Sequence, residues 1–422
     1  MSDITENILI ESLKCVKCGS CLSVCPVYKE LCEESSSPRG RAALSEEIGK
    51  ENIELTPKLV EIFTKCLGCG ACEEVCVKGV PVTKLVYEMR ELLYNKRRYD
   101  TTIRSILKLM YTSPYIFSLL LKKAALLKPI LFEEITDEDI LKPRLKLPFI
   151  DASRMLPKVR KKFFLENDFD EINTKKAHVS LYVGCIFNFI YPDVGTSSLN
   201  ILSKLETNVH VTTKQICCGS PALSVGDFHS LKELILKNID ILDETDPKKI
   251  IVPCSSCSLM FKKYYPMVFD ESEESLKIKV LKFAEKVVDF SMYLQEHKDK
   301  LEKIYDIKSA EDFTYHMPCH LSKGLHADNV FQKIFSDKEN LTIVDPDNPD
   351  SCCGYGGVFN FKYHELSQKI SDRKVTDILK TKPKTLLTTC SGCMMQLKEG
   401  LIRHNSEKKV MHIAEFINKF LT

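Results

Sequence analysis

Cysteines are the residues whose spacing in this chain could do chemistry, and eighteen of the nineteen fall into four ordered sets. The first two, Cys15-x-x-Cys18-x-x-Cys21-x-x-x-Cys25 and Cys66-x-x-Cys69-x-x-Cys72-x-x-x-Cys76, share one spacing. Three thiolates two residues apart converge from a tight turn onto neighbouring metal ions, and such a run of soft sulfur donors selects iron and sulfide. The other sets are longer: Cys185, Cys217-Cys218-Gly219 and Cys254-x-x-Cys257, then Cys319, Cys352-Cys353-Gly354 and Cys390-x-x-Cys393. Matched positions are offset by 134, 135, 135, 136 and 136 residues, so the C-terminal half is an internal duplication. One-electron transfer through inorganic clusters is the chemistry these residues offer.

Bulk properties limit the alternatives. A chain of 422 residues with 44% hydrophobic content can build two or three cores. Lys plus Arg at 60 against Asp plus Glu at 58 leaves a net charge of +2, with no overall field to gather polyanions, so nucleic acid is not an expected partner. Disulfide frameworks belong to small secreted chains; this one is long and opens on the acidic Met1-Ser2-Asp3-Ile4-Thr5-Glu6, so a reducing cytoplasm is expected. The apolar run from Met110 to Leu121 is 12 residues long, short of the roughly 17 to 25 that span a bilayer, and no transmembrane helix is expected.

A mainly helical head occupies residues 1–100. In two-cluster ferredoxins the fourth cysteine of each run ligates the other cluster. Cys15, Cys18 and Cys21 should therefore be completed by Cys76, and Cys66, Cys69 and Cys72 by Cys25, giving two cubane [4Fe-4S] clusters. Gly19 and Gly70 follow the second cysteines, where backbone must approach sulfide closely. Pro26 follows Cys25 in the ferredoxin manner and Val77 departs from it after Cys76, which alters a turn and not a ligand. Structural zinc uses paired CxxC knuckles and has little use for a triplet with a distant fourth ligand. The arginines of Ser37-Pro38-Arg39-Gly40-Arg41 either neutralise cluster charge or are solvated on a proline-initiated helix. Cys32, unassigned, reads as a small buried apolar residue. Val82, Leu85, Val86, Met89, Leu92 and Leu93 follow helical periodicity and close the head.

Residues 101–175 form a basic helical connector. From Lys96 to Phe132 the sequence has eight basic residues (Lys96, Arg97, Arg98, Arg104, Lys108, Lys122, Lys123, Lys128) and one acidic residue, Asp100. Interleaved with Ile116, Phe117, Leu119, Leu120, Leu121, Leu126, Leu127, Ile130, Leu131 and Phe132, they compose an apolar helix bounded by Pro114 and Pro129. It either lies on an anionic membrane surface, at the cytoplasmic face, or packs against a partner subunit or the chain's own C-terminal half. Residues 137–175, rich in charge and proline, read as an irregular link.

The duplicated half divides into 176–305 and 306–422. Alternating strands (Val179, Leu181, Val183; Phe313, Tyr315, Met317) lead straight into Cys185 and Cys319. Helices and strands then alternate through Ile250-Ile251-Val252 before Cys254 and Leu386-Leu387 before Cys390, which predicts short parallel sheets. The whole is an α+β, α/β multi-domain chain. Ligands just past the carboxyl ends of strands sit where open α/β sheets place them and where helix N-termini offer amides. Adjacent cysteines such as Cys217-Cys218 crowd a single iron, which suggests an unusual cluster. Gly219 and Gly354 relieve that crowding. His316 and His320, flanking Cys319, are expected to hydrogen-bond near the ligands or face solvent rather than relay protons.

The second repeat, from Ser351-Cys352-Cys353-Gly354-Tyr355-Gly356-Gly357-Val358-Phe359-Asn360 through Asp372-Arg373-Lys374 to Cys390-Ser391-Gly392-Cys393, resembles the cysteine-rich CCG domain family. With the head and its Ser37-Pro38-Arg39-Gly40-Arg41, the whole chain resembles the glycolate oxidase iron-sulfur subunit and its lactate-utilisation relatives. The same fused order is that of the catalytic subunit of membrane-bound heterodisulfide reductase. Many glycolate oxidase subunits have lost a cysteine from the last CxxC motifs, whereas Cys254/Cys257 and Cys390/Cys393 are intact here, as in the heterodisulfide reductase pattern. That resemblance implies a noncubane [4Fe-4S] cluster on Cys185, Cys217, Cys218, Cys254 and Cys257, and another on Cys319, Cys352, Cys353, Cys390 and Cys393.

No strand-linked G-x-G-x-x-G and no paired-carboxylate or Ser/His/Asp site marks a cofactor-binding fold or catalytic residues. A hydroxy acid is oxidised in a two-electron hydride event that a flavin must accept and split. The expected role is thus a relay: an FAD-linked dehydrogenase oxidises a glycolate- or lactate-type acid, and this chain passes electrons toward a quinone or another carrier. The alternative is disulfide reduction at a noncubane cluster. A noncatalytic scaffold would have little use for eighteen spaced ligands.

Overall fold

The computed structural model describes the chain except residues 1–2, 97–104, 106–107, 110, 113, 127–130, 136–139, 145–153, 170–178, 206–207, 270 and 337. Arg97, Arg98, Asp100, Arg104, Leu127, Lys128, Pro129 and Ile130 therefore lie outside the described residues.

Short helices build the head because prolines and capping side chains start them. Pro38 opens the helix Pro38–Gly49, where its missing N–H costs nothing, and the Ser37 hydroxyl accepts the Gly40 N–H at 2.9 Å. Thr56 caps Pro57–Thr64 in the same way. The helix Val82–Asn95 buries Val82, Leu85, Val86, Met89 and Leu93 against Ile8, Ile48 and Phe63, the amphipathic closure that the periodicity predicts.

In the connector, the helix Pro114–Leu126 begins at the expected proline. The link after it differs from expectation. Strands β1 (Phe132–Ile135), β2 (Ile140–Pro143) and β3 (Leu156–Pro157) form a small antiparallel sheet in the order β1-β2-β3. Pro143 and Pro157 end their strands, where a missing N–H breaks no interior ladder bond, so the proline density that reads as irregular belongs to strand ends.

Each repeat folds as a parallel four-stranded sheet. The first uses β4 (Val179–Leu181), β5 (Val209–His210), β6 (Lys249–Val252) and β7 (Val287–Asp289) in the order β5-β4-β6-β7. The second uses β8 (Glu311–Tyr315), β9 (Leu341–Val344), β10 (Thr385–Thr388) and β11 (Lys409–His412) in the order β9-β8-β10-β11. The two orders are the same, as a duplication requires. Strands β7 and β11 escape the sequence reading because helices abut them without turn residues: Glu274–Lys286 runs into β7, and Ile413–Asn418 leaves β11 at once. Leu181, Ile251, Phe313 and Leu387 are buried in one core that runs through both repeats.

The head is packed into this body. Val225 and Val358 enter the head's core, and Cys25, Val27 and Leu67 share a smaller core with Phe359, Leu366 and Ile370. Gly226, at φ +83°, lies so close to the helix Val82–Asn95 that a Cβ there would stand 2.3 Å from the Arg90 carbonyl oxygen. The approach of head to first repeat therefore depends on that glycine.

Candidate functional site

The cysteines of the head gather crosswise. Cys15, Cys18, Cys21 and Cys76 line one cavity, which the buried Cys72 also lines. Cys25 lies within electrostatic reach of Cys66 and Cys69, and Cys72 feels Cys69, Cys66 and Cys25 together. The second residue after Cys18 and Cys69 in each run is reached through a glycine in the left-handed region, Gly19 at φ +88° and Gly70 at φ +74°. That turn aims the Ser20 N–H at the Cys18 sulfur and the Ala71 N–H at the Cys69 sulfur. Further amides point at sulfur from Tyr28 to Cys25 (3.5 Å), Gly68 to Cys66 (3.4 Å) and Val80 to Cys76 (3.3 Å).

Both arginines of the Ser37–Arg41 segment serve these thiols. The Arg39 backbone N–H donates to Cys21, and its guanidinium acts on Cys18. Arg41 is 2% exposed, donates Nε–H to the Ile62 carbonyl at 3.0 Å and leaves Nη2 without a hydrogen-bond acceptor. Burial pushes the Cys25 thiol up to about 11, and the Arg41 charge pulls the other way. Cys32 is a correction: it is exposed, not buried, because it ends the helix Pro26–Leu31 in the left-handed region at φ 53°, its N–H donating to the Tyr28 carbonyl at 2.8 Å.

In the repeats the same construction recurs twice. Cys185 and Cys319 follow β4 and β8, Cys254 and Cys390 follow β6 and β10, and each of the latter caps the helix that carries Cys257 or Cys393. Cys185 lies against Cys217, and Cys218 against both Cys217 and Cys257. In the second repeat Cys319 pairs with Cys352, and Cys353 lies 3.2 Å from Cys393. Gly219 and Gly354, at φ +87° and +88°, donate their N–H groups to Cys217 and Cys352, each at 3.4 Å. The glycines thus do more than relieve crowding, since each also supplies an N–H donor to sulfur.

The sets touch one another. Cys69 of the head lies against Cys352 of the second repeat, and that proximity together with burial pushes its thiol well above the ordinary range. A cavity of about 390 Å³ opens beside them, lined by Cys69, Cys319 and Cys352. Cys390 lies against Cys254 of the first repeat. Around that contact the serines exchange partners: Cys254 Sγ is 3.2 Å from Ser391 Oγ, and Cys390 Sγ is 3.0 Å from Ser256 Oγ. One succession of thiols therefore runs from the head's outer set to its inner set, then to the second repeat, then to the first.

Several neighbours are absent from the sequence reading. Arg90, on the otherwise apolar face of Val82–Asn95, donates to the carbonyls of Phe63 (3.0 Å), Cys66 (2.6 Å) and Ser224 (3.1 Å), holding the second run against the first repeat. A lone arginine on an apolar stripe was the available signal. Ser256 and Ser391 carried none. His316 and His320 behave as hydrogen-bonding neighbours. His316 Nε2 stands 3.3 Å from Cys393 Sγ and within 4.8 Å of the Cys353 sulfur, and burial pushes its imidazole well below its ordinary range. Tyr182 takes the equivalent place before Cys185 and turns its hydroxyl to the Ile216 carbonyl instead. His320 Nδ1 is 2.9 Å from Ser256 Oγ.

None of the nineteen cysteines is joined in a disulfide. Buried thiols packed this densely ionise together only against cationic charge, because burial and mutual repulsion both oppose it. Inward amides, the orphaned Arg41 Nη2 and soft sulfur donors suit iron-sulfur clusters.

Comparison with known proteins agrees with this chemistry. The model of the CCG cysteine-rich domain matches residues 179–262 and 313–398, and that of the 4Fe-4S dicluster domain matches residues 11–80. The probable glycolate oxidase iron-sulfur subunit of Bacillus subtilis is 26% identical over 96% of this chain and 93% of its own length. Lactate utilization protein A of Bacillus cereus is 29% identical over 57% of this chain and 98% of its own length. Among solved structures, a hypothetical protein from Helicobacter pylori aligns at a TM-score of 0.49 with 11% identity, over 86% of this chain and 64% of that one.

Proposed function

We propose that this chain, which carries a 4Fe-4S dicluster domain and two CCG cysteine-rich domains and is homologous to the glycolate oxidase iron-sulfur subunit and lactate utilization protein A, is the electron-transfer subunit of a 2-hydroxyacid dehydrogenase. The observation that carries this reading is the unbroken succession of cysteine sets, linked at Cys72, at Cys69 with Cys352, and at Cys390 with Cys254. Cys15, Cys18, Cys21 and Cys76 hold one cubane [4Fe-4S] cluster, and Cys66, Cys69, Cys72 and Cys25 the other. Cys185, Cys217, Cys218, Cys254 and Cys257 hold a third cluster, and Cys319, Cys352, Cys353, Cys390 and Cys393 a fourth, both noncubane. An FAD-linked partner oxidises the glycolate- or lactate-type acid by two electrons, and these leave singly through the clusters toward a quinone or another acceptor. The chain works in the cytoplasm as four units, a head at 1–100, a connector at 101–175 and two CCG domains at 176–305 and 306–422.

The reading is tested by anaerobic co-purification with a flavoprotein partner. Hydroxy acid should bleach the clusters only when the flavoprotein is present. A chain that reduces a disulfide by itself and never associates with a flavoprotein overturns it.

One observation favours the disulfide-reducing alternative: the two five-cysteine sets meet at Cys254 and Cys390, so two one-electron centres would face a shared point. There a disulfide takes up two electrons and two protons to give two thiols. Turnover of a small organic disulfide by the isolated chain with reduced viologen tests it.

Membrane contact at the cytoplasmic face is supported by the helix Pro114–Leu126. Phe117 packs on Phe189 with ring centroids 6.2 Å apart, while Ile116, Leu119 and Leu120 stay 49%, 43% and 46% exposed beside Lys123. No helix among the described residues is long and apolar enough to cross a membrane. Flotation with anionic but not neutral vesicles is expected, and its loss in Leu119→Glu/Leu120→Glu; equal flotation of that variant rules the contact out.

A further inference from the structure

Four of the large apolar side chains that stay exposed among the described residues lie in or beside the outer cysteine set: Ile10 (53%) and Leu13 (56%) just before Cys15, Val16 (57%) after it, and Val77 (76%) after Cys76. Ile10 and Leu13 share a face at the end of the helix Asp3–Ser12, and Val16 and Val77 rim the cavity of Cys15, Cys18, Cys21 and Cys76. Cys18 is itself exposed, whereas Cys217, Cys218, Cys254 and Cys257, at the other end of the succession, are buried. Electron transfer slows exponentially with distance, so exchange with another protein happens where a centre nears the surface. This is that place.

Lysines surround the apolar centre. Lys14 and Lys17 are 46% and 60% exposed, while the carboxylates they pair with, Glu11 and Glu46, are only 18% and 14% exposed, so the outward field is positive. Lys78 is exposed beside Val77, the residue that replaces the usual proline after the fourth cysteine. An apolar patch under a charged rim of one sign is the make-up of a transient redox encounter site, in which charge steers and a small dry centre holds.

We propose that the surface over Cys18, with Leu13, Val16 and Val77 at its centre and Lys14, Lys17 and Lys78 around them, docks a one-electron carrier protein that presents its redox group within an acidic rim. The proposal rests on the relay reading above and adds where the relay meets its partner. In turnover each encounter oxidises the relay by one electron and reduces the carrier by one, and a reduced carrier drives the same exchange in reverse; no covalent bond forms or breaks.

The test uses the full chain, purified anaerobically with its clusters, and flavodoxin hydroquinone, an acidic one-electron donor oxidised to its semiquinone, as the probe. Stopped-flow reduction of the wild type should slow steeply as salt rises. Lys17→Glu/Lys78→Glu should be reduced at least about tenfold more slowly at low salt, and Leu13→Asp should lose rate without losing the salt dependence. All three proteins should contain the same iron and accept the same number of electrons from dithionite, which needs no docking surface. Variants of full iron content that flavodoxin reduces as fast as the wild type overturn the docking site, as does a wild type that dithionite reduces and flavodoxin does not. A wild type that accepts no electrons even from dithionite defeats the relay reading itself.

Discussion

Replacing Gly354 by alanine isolates the backbone geometry that positions the second five-cysteine set. Gly354 sits at φ +88°, and a Cβ there would stand 2.7 Å from the Ser367 carbonyl oxygen and 3.1 Å from the Ser371 nitrogen. Both belong to the backbone of the 16-residue helix His364–Leu379, which cannot yield without moving as a unit. An L-residue in the left-handed region costs about 1–2 kcal/mol, and forced overpacking against backbone adds about 1–3 kcal/mol. The sum, about 2–5 kcal/mol, falls on the turn whose N–H donates to Cys352. Gly79, at φ +59° with nothing within 4 Å of its would-be Cβ, has only the conformational cost and serves as the control. Iron per chain and the rate of visible bleaching on heating are the assays. Gly354→Ala should lose about four irons and bleach faster, while Gly79→Ala keeps its full complement. Equal iron content and equal bleaching in the two variants would refute the reasoning.

Crosswise ligation in the head predicts that Cys76→Ser exposes Cys15, Cys18 and Cys21 to alkylation while Cys66, Cys69 and Cys72 stay protected, read by peptide mass spectrometry; the reverse pattern defeats the assignment. Arg90→Met leaves the buried carbonyls of Phe63 and Cys66 unpaired and should destabilise the fold by about 3 kcal/mol, measured by chemical denaturation; a change below roughly 0.5 kcal/mol contradicts the clamp. Burial raises the Glu88 carboxyl to about 7, above its unfolded value of 4.5. The folded state therefore holds this proton longer than the unfolded one, and stability should fall as pH rises from 4.5 through 7, by on the order of 2 kcal/mol. Glu88→Gln should flatten the thermal-stability profile between pH 5.5 and 8, and an unchanged slope contradicts the assignment.

The duplication was legible because strand, cysteine and glycine recur together, and the two sheets share one strand order. So was the helix Val82–Asn95, whose apolar residues keep strict periodicity. What escaped depends on tertiary contact. Strand β7 is flanked by helices with no turn between, strand β11 runs straight into a helix, and the small sheet hides behind Pro143 and Pro157. Nothing in a CxxC motif announces that Cys254 and Cys390 will meet, or that Ser256 and Ser391 will each serve the other repeat's cysteine. Cys32 misleads because a helix C-cap in the left-handed region turns outward a side chain that composition alone would bury. Arg41 could be read either way, since only the fold shows that it faces inward toward Cys25.

The central claim, one continuous path of iron-sulfur centres, is tested most directly by paramagnetic resonance of the anaerobic chain during stepwise reduction, alongside iron analysis. About sixteen irons per chain and signals that broaden one another as neighbouring clusters fill are predicted. A colourless, zinc-containing chain, or signals that titrate with no mutual broadening, would contradict it.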